Sequence, residues 1–348
     1  MNATLISRFY LLLSLLYLVF ANAEAKPYPI GISFGPTYIT AAYIDSTGEP
    51  VIVASIKGSD EYINFMADSA ENEGVKIQYL AKWYIRDGES FVEIPPDPKN
   101  NPEVEDILTT AIQNIRKEIT NSLGKPLDIT SISIPNHFNG TSAEIVTKVA
   151  MANEKGIIRP WQVRRKFNVV RLAYGLNSCE GFGLDPDTCD DEDLDNVMFI
   201  DYNKAYLELL LASIGEFGCG ALDSVRLYKL GAKRLESSED SLEKYQHEIQ
   251  GAIQNFKDKN SVRIANYSTT VELILAIVMS GDAPRPAFLN IRDAITAVLP
   301  EHRAKIRDSV DPLFTEAVGA AHWAKLQALK PEMLQDFIAD SILDHDEL

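Results

Sequence analysis

The sequence predicts an α/β fold built as two related lobes, and three observations carry that reading. Short apolar strands alternate with segments of helical period along most of the chain. A strand–turn–strand pattern that opens at Ile30 returns 168 residues later, counted from Ser33 to Asp201, which suggests one homologous lobe per half. Hydrophobic residues make up 46% of the 348 positions, too many for a disordered chain and enough for a sizeable core.

The elements follow in order. Ile30 to Tyr38 is an apolar strand closing on a Gly-containing turn, and Ile39 to Ile44 is its partner, ending at the turn Asp45-Ser46-Thr47-Gly48. Val104, Ile107, Leu108, Ala111, Ile112, Ile115 and Ile119 recur at i, i+3, i+4 and i+7, one face of a helix of about five turns. Ile132-Ser133-Ile134 alternates like a strand and stops at Pro135. Thr141-Ser142-Ala143-Glu144 has the form of a capping box that opens a helix through Ala150. In the second half, Val197 to Asp201 and Tyr206 to Ile214 repeat the hairpin. A helix is expected near Leu242–Phe256, a buried strand over Leu273–Met279, a turn at Ser280-Gly281-Asp282-Ala283-Pro284, and helices near Ala287–Val298 and Phe314–Leu329. A last helix carries Met333, Leu334, Phe337, Ile338 and Ile342 on its apolar side.

The ends of the sequence read as an address. Arg8 precedes the 12-residue apolar run Phe9 to Phe20, and small residues follow at Ala21-Asn22-Ala23 and Ala23-Glu24-Ala25. That is the pattern of a secretory signal peptide, too short for a membrane span of ~18–20 apolar residues. His345-Asp346-Glu347-Leu348 is the tetrapeptide read by the retrieval receptor of the endoplasmic reticulum, so the expected localisation is the lumen of that compartment. Asn139-Gly140-Thr141 and Asn266-Tyr267-Ser268 are sequons that place glycans at Asn139 and Asn266 in such a lumen. Cys179 and Cys189 flank a Gly/Asp/Pro-rich segment and either close a small disulfide loop or stand as two reduced loop cysteines. Cys219 is left over, with no His or Cys beside it to suggest a metal.

Charge excludes one class of function. Asp and Glu number 50 against 33 Lys and Arg, a net charge of −17 with no basic cluster, which argues against nucleic acid as partner. Seven carboxylates crowd Asp185, Asp187, Asp190, Asp191, Glu192, Asp193 and Asp195. They lack the spacing of an EF-hand, so a solvated acidic loop is the reading preferred over a Ca²⁺ site.

Five fragments, in order, resemble the nucleotide-binding domain of the heat shock protein 70 family, within the actin-like ATPase fold of two duplicated ribonuclease-H-like lobes. Ile30-Gly31-Ile32-Ser33-Phe34-Gly35-Pro36-Thr37-Tyr38 resembles the family's opening I-G-I-D-L-G-T-T-Y. Ile132-Ser133-Ile134-Pro135-Asn136-His137-Phe138-Asn139 is similar to I-T-V-P-A-Y-F-N, and Leu172-Ala173-Tyr174-Gly175-Leu176 matches L-A-Y-G-L. Val197 to Asp201 resembles the strand ending in the second phosphate loop, and Pro312 to Gly319-Ala320-Ala321 keeps the late P-x6-G-A-A. The resemblance runs from about Ile30 to Trp323. It implies lobe I over 26–178, an acidic inter-lobe loop over 179–196, lobe II over 197–330, and a final helix with the retrieval signal over 331–348, after a signal peptide over 1–25. It leaves no room for the family's peptide-binding domain.

The resemblance also implies ATP and Mg²⁺, with Gly35, Thr37, Asp201 and Gly281 as the candidate contacts and Asp201 facing the metal. Read alone, Asp201 is equally a turn residue or cap. Around those positions the chemistry departs from the family. Its first-loop Asp is Ser33, and Pro36 removes an N–H donor. Its G-G-G-T becomes Asn203-Lys204-Ala205-Tyr206, a change expected to fill the phosphate space. Its catalytic Glu aligns with Lys166, and its first-lobe lysine has only Lys82 as counterpart. Lys166 and Lys204 then pair with Asp201, bind an anion, or sit solvated at the surface. His137 and His322 read as packed side chains. The expected function is therefore a pseudo-ATPase scaffold or regulator of luminal protein folding, working with luminal chaperones, J-domain cochaperones or unfolded clients. The alternatives are an active ATPase of the same family and, more remotely, a sugar or metabolite kinase on the same fold.

Overall fold

A computed structural model describes residues 28–72, 101–138, 140–185, 187, 189, 194–215, 218–237, 242–264 and 274–330. The signal peptide, the retrieval tetrapeptide, the last helix, Lys82, Asn139, Asn266 and, within the acidic loop, residues 186, 188 and 190–193 lie outside them.

The first half forms β1 (Ile30–Phe34), β2 (Tyr38–Ile44), β3 (Pro50–Lys57), α1 (Asp60–Asn72), α2 (Pro102–Leu123), β4 (Ile129–Ile134), α3 (Gly140–Asn153) and β5 (Val163–Arg165). The second half, after the short helices α4 (Lys166–Val170) and α5 (Cys179–Phe182), forms β6 (Leu194–Tyr202), β7 (Leu207–Ile214), β8 (Cys219–Leu227), α6 (Lys233–Ser237), α7 (Leu242–Ile264), β9 (Ala276–Ser280), α8 (Arg285–Val298), β10 (Ile306–Arg307) and α9 (Thr315–Leu329). The strands make two five-stranded mixed sheets, ordered β3-β2-β1-β4-β5 and β8-β7-β6-β9-β10. In each, three antiparallel strands are followed by two added in parallel. The repeat inferred from the two hairpins thus extends to the whole strand order. The 168-residue offset holds through the turns: Gly35 N–H donates to Tyr38 O at 3.0 Å, and Asn203 N–H to Tyr206 O at 2.9 Å.

Local chemistry sets the helix ends. Asn101 caps α2 by accepting from Val104 N–H, Pro102 opens it, and Gly124 closes it at φ 68°. Leu108, Ala111, Ile112, Ile115 and Ile119, the face expected from periodicity, are its buried residues. α3 begins at Gly140, so the capping-box residues lie in its first turn.

Each sheet is covered on its outer face by its own long helices, α2 and α3 on the first and α7 and α8 on the second. Between the sheets lie two thinner layers. α9 packs on the first sheet through Ala317, Val318 and Ala321 against Ala42 and Ile44. The stretch from Phe167 to Phe182 packs on the second through Phe167, Val170 and Leu176 against Val197 and Phe199. α9, from the second half of the chain, thus packs on the first sheet, and 167–178 packs on the second. The segment 179–196 opens with α5 and ends in β6.

The two inner layers touch because small residues allow it. A Cβ on Gly31 would stand 2.1 Å from Ala321 N, and one on Gly319 would stand 2.0 Å from Val169 O. The Gly-Ala-Ala run therefore serves a backbone-to-backbone approach on both sides of α9. Cys179 and Cys189 are joined by a disulfide, while Cys219 is a buried free thiol.

Candidate functional site

The carboxyl ends of β1 and β6 face each other across the inner layers, and buried ionic side chains fill the space between them. Lys166, at the start of α4, is 3% exposed. Its Nζ donates to Asp201 Oδ1 at 2.6 Å and to Glu316 Oε1. The second oxygen of Glu316 accepts from Ser33 Oγ at 2.6 Å. The second oxygen of Asp201 accepts from the Tyr206 hydroxyl at 3.3 Å. Ser33 and Asp201 occupy equivalent places in the two hairpins, so one lysine bridges the two halves of the repeat.

Burial disfavours a charged lysine, and the Asp201 and Glu316 carboxylates more than offset it. The Lys166 ammonium is held well above the ordinary lysine range. Burial raises the Glu316 carboxyl, with Lys166 pulling the other way. Tyr206, 2% exposed, is raised well above the usual phenol range by burial and by Asp201. A protonated lysine between two carboxylates is neither a nucleophile nor a base.

A second buried pair lies beside the first. Arg226 on β8 reaches Glu208 on β7 at 2.7 Å, and Asn136 Nδ2 donates to the other Glu208 oxygen at 3.0 Å. Asn136 Oδ1 accepts from Phe167 N–H at 3.0 Å, so this side chain ties the end of β4 to both α4 and the second sheet. Arg226 also donates to Ala70 O at 3.2 Å, and the Tyr228 hydroxyl bonds the same carbonyl. Tyr206 packs between His137 and Tyr228, with the Arg226 guanidinium over its ring. The cavity left beside Lys166, Asp201, Glu208 and Ser280 is about 10 Å³, room for one water and nothing larger.

On the other flank, Asp282 is held at the second hairpin turn. Its Oδ1 accepts from Lys204 N–H at 3.0 Å, and its N–H donates to Asn203 Oδ1 at 3.0 Å. Burial raises the Asp282 carboxyl, with Thr37 of the first turn acting against that. The Lys204 ammonium lies over the Tyr38 ring at 5.4 Å.

The candidate contact residues thus come together, and most are already engaged. Gly35 sits in the first turn, where a Cβ would stand 2.8 Å from Tyr38 O. Thr37 lies in the same turn, on the side of Asp282, whose carboxyl it lowers. Asp201 is 4% exposed and ion-paired, at the end of a strand and not in a turn. Gly281 adopts φ 129°, where a Cβ would stand 2.1 Å from Tyr202 O and 2.9 Å from Asp201 Oδ1. The expectation of a solvated Lys166 is overturned: of its three sequence readings, pairing with Asp201 is the one observed.

Glu316, Glu208, Arg226 and Asp282 escaped the sequence reading. Only Glu316 left a signal, as the one carboxylate in Thr315–Leu329, next to the apolar run Ala317 to Ala321. His137 is buried, its imidazole held well below the ordinary range by burial, and its Nε2 lies 3.2 Å from Ser69 Oγ. Both side chains are shut off from solvent, so this is a packing contact, as expected for His137. Burial also lowers His322, to about 4. No group of three or more His, Cys, Asp or Glu is placed to hold a metal ion among the described residues, and no helix there is long and apolar enough to cross a membrane. No protein-family model matches this chain, and no curated protein matches it either.

Proposed function

We propose that this chain is a catalytically inert member of the actin-like, heat shock protein 70-related ATPases, serving as a scaffold or regulator of protein folding in the lumen of the endoplasmic reticulum. One observation carries the reading: Lys166 Nζ stands between Asp201 and Glu316, between the facing hairpins where the actin-like fold would hold phosphate and metal. A divalent cation there would meet an ammonium instead of open carboxylates. Tyr206, Arg226 and Glu208 take the remaining volume, and Gly281 is packed beneath Tyr202 instead of presenting its backbone to a ligand. The residues present do not fit Mg-ATP, and no catalytic step is derived through it. The repeated strand order supports the fold, and the five fragments support the family.

The compartment rests on the apolar run after Arg8 and on His345-Asp346-Glu347-Leu348, with luminal chaperones, J-domain cochaperones or unfolded clients as the partners that follow from it. Thermal unfolding with and without millimolar Mg-ATP tests the function. A nucleotide at 100 times its dissociation constant would stabilise the fold by ~2.7 kcal/mol, and no shift is expected. Hydrolysis of ATP by the purified chain, abolished in Asp201→Ala, overturns the proposal in favour of an active ATPase. For the compartment, deletion of residues 345–348 should release the protein to the medium; unchanged retention refutes the address.

A further inference from the structure

The four sheet edges are not finished alike. β5 and β10 are three and two residues long, and β3 begins at Pro50. β8 runs for nine residues and, among the described residues, hydrogen-bonds to β7 on one side only. An edge of that length presents a row of backbone donors and acceptors that a further strand can complete. Alongside it, between Ser224–Leu230 and one face of α7, lies a groove of about 780 Å³. Leu227, Leu230, Ala252 and Phe256 give it an apolar lining, and Arg226, Lys229 and Lys259 set three cations against the single carboxylate of Glu248. Arg226 and Lys259 hold Glu208 and Asp223, which leaves the exposed Lys229 to set the sign of the rim. On a chain of net charge −17, an exposed lysine on the rim of an apolar groove along this strand edge favours an acidic, extended occupant.

We propose that β8 and this groove bind an extended peptide segment as an added strand, apolar at alternate positions and acidic at its flanks. Backbone hydrogen bonds to β8 supply sequence-independent affinity. The apolar lining accepts every second side chain, because a strand turns alternate residues to one face. The site is separate from the buried ionic centre, so nucleotide binding and peptide binding succeed or fail independently.

The test is fluorescence anisotropy of the full chain with a labelled heptapeptide, Asp-Val-Thr-Val-Thr-Val-Asp, and two N-methylated versions. Methylation at the valines or at the threonines removes one alternating set of N–H donors. One version is expected to bind at least tenfold more weakly and the other unchanged. Gly251 lines the groove and a Cβ there meets no atom within 4 Å, so Gly251→Tyr places a ring at the groove and should weaken binding at least tenfold without lowering the unfolding midpoint. Lys229→Glu should weaken it severalfold. No binding at millimolar protein, equal binding of both methylated probes, or an unaffected Gly251→Tyr overturns the proposal. Self-association that Gly251→Tyr abolishes also overturns it, by assigning the edge to a second copy of the chain.

Discussion

Replacing Lys166 by methionine keeps the length of the side chain and removes its charge. In the native protein Lys166 is 3% exposed and serves Asp201 and Glu316 together. Deleting one member of a buried ionic set leaves uncompensated charge, which costs roughly 3–5 kcal/mol. In a chain of this size that is a fall of about 10 °C in unfolding temperature. The loss should depend on pH, with a definite sign. Burial already raises the Glu316 carboxyl against the pull of Lys166. Without the lysine, the nearby Asp201 charge pushes it further the same way. A carboxyl whose folded pKa exceeds its unfolded value contributes stability below the unfolded pKa and loses it as pH rises through the folded one. Lys166→Met should therefore be hurt less at about pH 5 than at about pH 8. Lys166→Met combined with Asp201→Asn and Glu316→Gln, which leaves no charge to strand, should recover most of the stability. Urea unfolding of the three proteins at both pH values measures this. A loss under ~1 kcal/mol, or an equal loss at both pH values, refutes the assignment of Lys166 as the ionic bridge.

The close approach of α9 to its neighbours gives a steric test. Gly319→Val drives a side chain into the Val169 carbonyl and should cost more than ~3 kcal/mol or prevent folding, whereas Gly251→Ala, which meets no neighbour, should stabilise by up to ~1 kcal/mol; thermal melts separate the two. The disulfide between Cys179 and Cys189 closes a loop with a sequence separation of 10, worth ~2.7 kcal/mol in the chain-entropy account, so reductant and the double change to serine should lower stability by similar amounts in urea titrations. Hydrogen exchange should find the amides of Phe167 and Lys204 protected through Asn136 and Asp282, and Asn136→Ala should expose the first while sparing the second.

The architecture was legible because it is written in periodicities. The hairpin at Ile30 and its return at Val197 use the same apolar alternation, and α2 shows its buried face in the spacing of Leu108, Ile112, Ile115 and Ile119. What sequence reasoning missed depends on distance along the chain. Glu316 meets Ser33 across 283 positions, and Glu208 meets Asn136 across 72. Nothing local distinguishes Glu208 from a solvated carboxylate, and only its apolar surroundings marked Glu316. The same limit explains Lys166, whose partners Asp201 and Glu316 lie far along the chain. β8 went unremarked because its sequence is mixed, Cys219 to Leu227 interleaving Asp223 and Arg226 with apolar residues.

The buried charges act on geometry more than on net stability. Ion pairs taken out of water roughly break even against well-packed apolar groups, so Lys166, Asp201 and Glu316 are a weak explanation of why the chain folds. They are a strong explanation of why the two sheets hold one relative placement. Apolar layers tolerate sliding, whereas Lys166–Asp201, Asn136–Glu208 and Arg226–Ala70 are satisfied together in one arrangement. Opening the gap between the hairpins breaks all three at once. At ~1 kcal/mol for each buried polar link, the low end of their range, the open form holds under about 1% of the molecules. At the high end it is negligible. If the hairpins correspond to the phosphate loops of the proposed ATPase relatives, the same residues also remove the opening by which such an enzyme would exchange nucleotide. A fixed relation between lobes is instead what a docking surface requires, because a partner that meets a rigid face loses none of its affinity to ordering it.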